Sequence, residues 1–423
     1  MKVVYIQKEN NDLKGRVSLP PSKSITNRLL IINALTAHPF EISNISTADD
    51  AKVMQHLLSE INTNKYINDP LVLDAGNTGT ALRFLTAYLA VQQGTYILTG
   101  SERMKIRPVK ELVSALCGLG ADIHYLENEG YPPLRIKGKV IKGGKISIDA
   151  SKSSQFVTAL MLIAPVLKKG LELELICPPS SWPYIQMTAG LMELCGVKVH
   201  FSSQKIIISP QPYHSKGMHV EADWTAASYW YEAAALAGNV DLEIDGLTDS
   251  SFQGDRYVAE LFKGFGVIST FTESGCLLSK TDNIIMPQDQ NFINHPDLVP
   301  SMAVTCAARG IPAKLRRLEN LRIKESDRLI SLKSELRHLG FEVEVGENNT
   351  LYITGKSSLS TTDEPIHTYG DHRIAMAFSP LALMYNKICI EDPDVVGKSY
   401  PDYWNAMMKV GFRCKVVDSS AER

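Results

Sequence analysis

No stretch of the 423-residue sequence reaches the about 18 uninterrupted apolar residues that a membrane-spanning helix needs. The opening MKVVYIQKEN also lacks the basic stretch, apolar run and small-residue cleavage site of a secretory leader. A soluble, cytoplasmic chain with no membrane partner is therefore expected. Net charge is scarce too: 44 basic residues stand against 46 acidic ones. No global field then draws the protein to nucleic acid, and any affinity for anions must be local. Paired cysteines are missing, since the seven present are odd in number, scattered and free of any C-x-x-C pattern, which fits reduced thiols. The ten histidines show no H-E-x-x-H or comparable spacing, so no metal is expected.

What the chain does have is apolar material, 44% of residues, enough for about two or three globular domains. That material repeats. Helices of small and apolar residues open on Ser, Asn, Asp or Gly clusters: SKSITNRLLIINAL, GNTGTALRFLTAYLA, SKSSQFVTALMLIAPV, DWTAASYWYEAAAL, HPDLVPSMAVTCAA and GDHRIAMAFSPLAL. From Gly76 onward they recur every 72 to 75 residues. Most are followed by a more amphipathic helix that ends at Gly and runs into a strand, as in LISLKSELRHLGFEVEV. The unit is an α/β module whose Ala-rich first helix has no polar face and must be buried. Six modules give two similar domains of three, with the crossings near residues 18 to 21 and 220 to 224 and a cleft implied between the domains.

The starts of the buried helices carry the chemistry. Helix N-termini leave backbone N–H groups unpaired and attract anions. Gly76, Asn77, Thr78, Gly79 and Thr80 form a small-residue turn that could approach a phosphate or carboxylate, or simply cap a helix. Ser22, Lys23 and Ser24 with Arg28 suit a phosphate and a neighbouring carboxylate, and read equally as a cap with a solvated charge. Ser153, Ser154 and Gln155 offer neutral donors to a phosphate monoester, or plain serine capping. In LRIKESDRL, a helical reading puts Lys324 and Arg328 on one face beside Glu325 and Asp327, which is either a surface ion-pair helix or a proton-transfer cluster near Asp297. Asp371, His372 and Arg373 open the sixth buried helix, where a histidine and an arginine are unusual unless they point into a cleft, and a structural cap is the other reading. Lys23, Arg28, Arg107, Lys324, Arg328, Arg373 and Lys398 together face Asp297 and Glu325. That local excess of cations calls for substrates with several negative charges.

In order along the chain, LPPSKSITNR, GNTGTALR, RMKIRP, SSQ, SWPY, QGD, PD, NLRIKESDR, DHR and GKSYPDYW resemble the 5-enolpyruvylshikimate-3-phosphate synthase family of enolpyruvyl transferases, from residue 19 to residue 404. The resemblance implies an inside-out α/β barrel, with two similar domains each of three β-α-β-α-β-β units around buried parallel helices. Residues 1–18 plus 222–423 would form one discontinuous lobe and 19–221 the second, with the active site between them. It implies that Lys23, Ser24, Arg28, Ser153, Ser154, Gln155, Ser181, Tyr184, Asp297, Asn320 and Lys324 hold shikimate 3-phosphate. Lys23, Asn77, Gly79, Arg107, Gln155, Arg328, His372, Arg373 and Lys398 would surround phosphoenolpyruvate. Asp297, Lys324, Glu325 and Lys23 are the implied catalytic residues of an addition and elimination that needs no cofactor, carried out by a monomer.

The chain departs from the commoner family pattern at Pro21, Phe84, Trp182 and Trp224. Phe84, behind Gly79, is expected to alter the strength of inhibition by glyphosate, which occupies the phosphoenolpyruvate site in this family. The related transferase acting on UDP-N-acetylglucosamine uses a reactive cysteine in the loop corresponding to GSERMKIRP, and none is present there. A catalytically silent anion-binding scaffold is the other alternative. It is weakened by the retention of Asp297, Lys324 and Glu325.

Overall fold

The computed structural model describes residues 2–64, 70–285, 288–357, 364–385 and 387–418. The chain divides into a discontinuous unit, Met1–Pro21 with Glu221–Arg423, and a continuous unit, Ser22–Val220. Leu19, Pro20 and Pro21 thus stay with the discontinuous unit, instead of leaving it after residue 18. The reason is local pairing: Pro21 bridges Ala222 antiparallel, and Asp223 N donates to the Pro20 carbonyl at 2.9 Å.

All six small-residue segments are helical, at Lys23–Leu35, Gly79–Val91, Ser154–Ile163, Trp224–Leu236, Val299–Ala308 and His372–Phe378. Their burial follows from composition. In Gly79–Val91 every residue from Ala81 to Ala90 is buried, and a fully buried Leu or Phe contributes about 1.5–3 kcal/mol through its apolar surface. Strands instead alternate, as in Leu134–Gly138, which buries one face and exposes the other. Helices therefore lie inside each unit and sheets outside.

Each complete module repeats one topology. Leu71–Asp74 and Gly94–Thr99 are parallel and joined through helix Gly79–Val91, while Leu134–Gly138 and Asp122–Tyr125 add antiparallel. The same order recurs with Gly144–Ile148, Leu171–Leu175, Lys205–Ile208 and His200–Ser202. In the discontinuous unit it recurs with Asp12–Ser18, Asn239–Asp245, Gly275–Lys280 and Val267–Phe271, and with Asp289–Asn291, Ala313–Arg316, Thr350–Ser357 and Phe341–Gly346. The third sheets are smaller. Lys2–Lys8 lies between Ile388–Glu391 and Phe412–Asp418, and Ile42–Ser43 pairs with Met218–His219.

The amphipathic helices stop where the sequence suggests. Gly266 and Gly340 follow helices Val258–Lys263 and Arg328–His338 with φ of 81° and 86°, a left-handed conformation that ends a helix and turns the chain into the next strand.

Candidate active site

In the continuous unit, Ser22 caps helix Lys23–Leu35 through the Ile25 amide, so Lys23 occupies its first turn. Lys23 Nζ lies 3.1 Å from Asp50 Oδ2, and Thr78 Oγ1 donates to Asp50 Oδ1 at 3.1 Å. Asp50 is absent from the sequence-based set. As one of two acidic residues in the first turn of helix Asp49–Thr63, it reads as an ordinary helix-dipole partner.

Arg28 is buried and, among the described residues, meets only neutral oxygens: Thr188 Oγ1 at 2.8 Å, the Ser24 carbonyl at 2.8 Å and the Tyr184 carbonyl at 3.4 Å. Its guanidinium sits over the rings of Phe84 and Tyr184, at 5.4 and 5.9 Å. Burial pushes its pKa down to about 10, with Tyr184 opposing. Phe84 thus reaches Arg28, while the nearest atoms around Gly79 belong to two arginines.

A Cβ at Gly79 would stand 2.5 Å from Arg83 Nη1 and 2.9 Å from Arg107 Nη2, so only glycine leaves room for both guanidiniums at this helix start. Arg107 is buried, and its Nε and Nη1 have no hydrogen-bond partner. Arg83, unnoticed in the sequence because it lies mid-pattern in an apolar helix, donates to Gln155 Oε1 at 3.0 Å. Gln155 Nε2 donates in turn to Thr80 at 3.0 Å, and Ser153 caps the Gln155 helix. Ser154 is buried beside it. Ser181, at φ 55°, starts helix Trp182–Leu194, and Tyr184 N donates to its carbonyl at 3.0 Å. Asn77 lies in the turn before Gly79.

In the discontinuous unit the chemistry gathers on Asp297. Lys324 Nζ, Arg328 Nη1 and Arg373 Nη2 approach its carboxylate at 3.4, 3.1 and 3.0 Å. Burial alone would raise this carboxyl, but the three cations outweigh it and hold it well below its ordinary range. Burial lowers Lys324, with Asp297 opposing. Arg328 also bonds Glu325 at 2.8 Å and Asp371 at 2.9 Å. Burial would lower its pKa, yet the Asp371 and Glu325 carboxylates raise it. Lys398 Nζ is 3.9 Å from Glu325. His372 is buried next to Asp371, which caps helix His372–Phe378 by accepting from the Arg373 amide at 3.0 Å. Asn320 sits in the short turn Glu319–Ile323, and no hydrogen bond joins it to this cluster among the described residues.

The helical reading of LRIKESDRL is corrected. The turn ends at Ile323, Lys324 is extended, and Asp327 caps a new helix beginning at Arg328. Lys324 and Arg328 share no helix face and meet on Asp297 instead. The balance of charge also changes within each unit: Asp50 answers Lys23 in the continuous unit, and Asp371 joins Asp297 and Glu325 around Arg328 in the discontinuous one.

Among the described residues no helix is long and apolar enough to cross a membrane, and no group of three or more His, Cys, Asp or Glu could hold a metal ion. Trp224 belongs to the core, packed on Tyr231 and Phe271, and Trp182 meets Phe201 edge-on.

Residues 7–407 match a family model described as EPSP synthase (3-phosphoshikimate 1-carboxyvinyltransferase). The 3-phosphoshikimate 1-carboxyvinyltransferase of Bacteroides fragilis strain YCH46 is 43% identical over 413 residues, which cover 97% of this chain and 99% of that protein. The protein of the same name from Haemophilus influenzae strain PittEE is 37% identical over 425 residues, covering 95% and 97%. A solved structure of EPSP synthase from Acinetobacter baumannii superposes with a TM-score of 0.78 at 21% identity, covering 99% of this chain and all of that one, and speaks for the shared inside-out α/β fold.

Proposed function

The chain belongs to the EPSP synthase family, and we propose on that premise that it transfers the enolpyruvyl group of phosphoenolpyruvate to the 5-hydroxyl of shikimate 3-phosphate, releasing phosphate on the route to chorismate and the aromatic amino acids. The observation that carries the reading is the pair of buried cations Arg28 and Arg107. Among the described residues, one has only neutral hydrogen-bond partners and the other has two nitrogens, Nε and Nη1, with none. Isolated buried charge is costly unless a counter-charge arrives, and both substrates bring phosphate and carboxylate.

Arg28 with Ser24, Ser153, Ser154, Gln155, Ser181, Tyr184 and Asn320 would take shikimate 3-phosphate. Lys23, Asn77, Gly79, Arg107, Gln155, His372, Arg373 and Lys398 would take phosphoenolpyruvate. Arg328 would join them only by loosening one of its carboxylates, so its main work is to order Asp297, Glu325 and Asp371. The 5-hydroxyl oxygen attacks C2 of phosphoenolpyruvate as C3 gains a proton. The tetrahedral adduct then loses phosphate and a C3 proton to regenerate the enol ether. Asp297, kept ionised by its cations, and Lys324 would accept the hydroxyl proton, and Glu325 would protonate C3. Arg107, Arg373 and Lys398 would stabilise the phosphate and carboxylate charge. We propose that the protein works as a cytoplasmic monomer, without cofactor or metal.

Purified protein should release phosphate from phosphoenolpyruvate only when shikimate 3-phosphate is present, and Lys324→Met should slow release about 10²–10⁴-fold. Release independent of shikimate 3-phosphate, or none from folded protein, would overturn the reading. Glyphosate should inhibit with a strength that depends on Phe84, and an unchanged inhibition constant in Phe84→Pro would remove Phe84 from that account.

A further inference from the structure

Glu335 lies two helical turns beyond Arg328 on helix Arg328–His338, a spacing of about 10.5 Å along one face. It is 2% exposed and pairs with no Lys or Arg among the described residues; its oxygens accept from the His367 amide at 3.0 Å and the Tyr369 hydroxyl at 2.6 Å. Arg328, at the other end of that face, donates to Asp371 through Nε at 2.9 Å and Nη2 at 3.1 Å. The segment from His367 to Asp371 links the two points through a turn, closed by the Asp371 amide donating to the Thr368 carbonyl at 2.9 Å. On its other side, Glu391 accepts from the Thr368 amide at 3.1 Å and meets His367 Nδ1 at 2.9 Å.

The clamped segment is strained. Tyr369 has φ of 55° and Gly370 has φ of 66°, and the left-handed region is rare for a residue with a Cβ. It leads directly into Asp371, which caps the helix carrying His372 and Arg373, and Arg373 reaches Asp297 at 3.0 Å.

We infer that Glu335 and Tyr369 are positioning residues for the reaction, pinning the segment His367–Asp371 along helix Arg328–His338 and thereby setting Asp371, Arg328 and Arg373 against Asp297. The inference rests on the enolpyruvyl-transfer reading. Tyr369→Phe removes one hydroxyl, and Tyr369→Gly removes it while relieving the left-handed backbone. Both variants should lower kcat about ten- to hundredfold. KM for shikimate 3-phosphate, held mainly by the continuous unit, should stay within about twofold. Tyr369→Gly should melt at or above Tyr369→Phe, which loses the same hydroxyl but keeps the left-handed strain, while its kcat stays as low, so that activity and stability separate, as a merely structural role would not allow. Glu335→Gln, which keeps one acceptor oxygen for two donors, should resemble Tyr369→Phe, and the double variant should be no worse than either single change.

Amide hydrogen exchange across residues 367–378 should rise in every variant, a readout that does not depend on turnover. A parent protein without turnover would sink the functional reading alone. Unchanged exchange in Tyr369→Phe, or a kcat that falls only as far as the midpoint does, would overturn the positioning role.

Discussion

The two units handle their buried arginines in opposite ways. In the continuous unit Arg28 rests on ring faces and neutral oxygens, and Arg107 keeps two buried N–H groups unpaired. In the discontinuous unit Arg328 is enclosed by Glu325, Asp297 and Asp371. Under the proposed function, cations left without carboxylates would be prepared for anions that come from outside, because an arriving phosphate need not displace an internal partner. Cations threaded among carboxylates make a network whose protons can be moved and whose geometry is already fixed. Under the proposed function, the difference would separate a surface that receives substrate from one that acts on it.

Removing Asp297 should produce the largest effect. Asp297→Ala leaves Lys324, Arg328 and Arg373 without their shared counter-charge, so phosphate release should fall at least about 10²-fold. Stability should drop by about 3–5 kcal/mol, as when one partner of a buried ion pair is lost. Chemical denaturation beside the phosphate assay checks both.

Arg28→Met should sharpen the contrast. It removes a buried charge that has no internal carboxylate, so the melting midpoint should hold or rise, while the KM for shikimate 3-phosphate climbs about ten- to hundredfold, the worth of a charged hydrogen bond or two. A lower midpoint in that variant would break the comparison.

A last effect is expected from acidity. Asp297 is depressed in the folded chain, so its contribution is present above the unfolded carboxyl value of about 3.9 and is lost as pH falls through the lower folded value. Glu232 has the opposite sign. It is wholly buried in helix Trp224–Leu236, neither carboxyl oxygen has a hydrogen-bond partner among the described residues, and burial raises it well above the carboxylate range, with Tyr403 nearby. The folded chain therefore keeps a proton that the unfolded chain releases above about pH 4.3, and stability falls as pH rises, by up to about 1.4 kcal/mol per unit. Glu232→Gln should melt higher than the parent at pH 7, and the gain should vanish toward pH 4.

Much of this was legible beforehand because the signals are repeated or local. Six Ala-rich segments without a polar face demanded interior helices, and Gly266 and Gly340 marked where their amphipathic companions stop. Ser22, Ser153 and Asp371 announced helix starts by composition. What sequence could not show is which acidic residue turns inward. Asp50 and Asp371 look like ordinary first-turn and capping carboxylates, and only tertiary packing brings them to Lys23 and Arg328. LRIKESDRL misled for a related reason: its charges suit a helix, but Asp327 is a better cap than interior residue, so the helix starts late and Lys324 is freed to reach Asp297. Glu335 sits on the expected helix, yet nothing in its neighbourhood hints at a strained tyrosine thirty-odd positions later.

The pairing of Pro20 and Pro21 with Ala222 and Asp223 reaches beyond geometry. It makes the whole of Ser22–Val220 an insertion between two neighbouring backbone positions. The discontinuous unit cannot join its first strands to Asn239–Asp245 until that entire length has been looped out, and a loop costs less once its contents are compact. The expected order of assembly is thus inside first, with the continuous unit gaining protection before the strand pair Asp12–Ser18 and Asn239–Asp245. Pulsed hydrogen exchange during refolding would show that order, or reverse it.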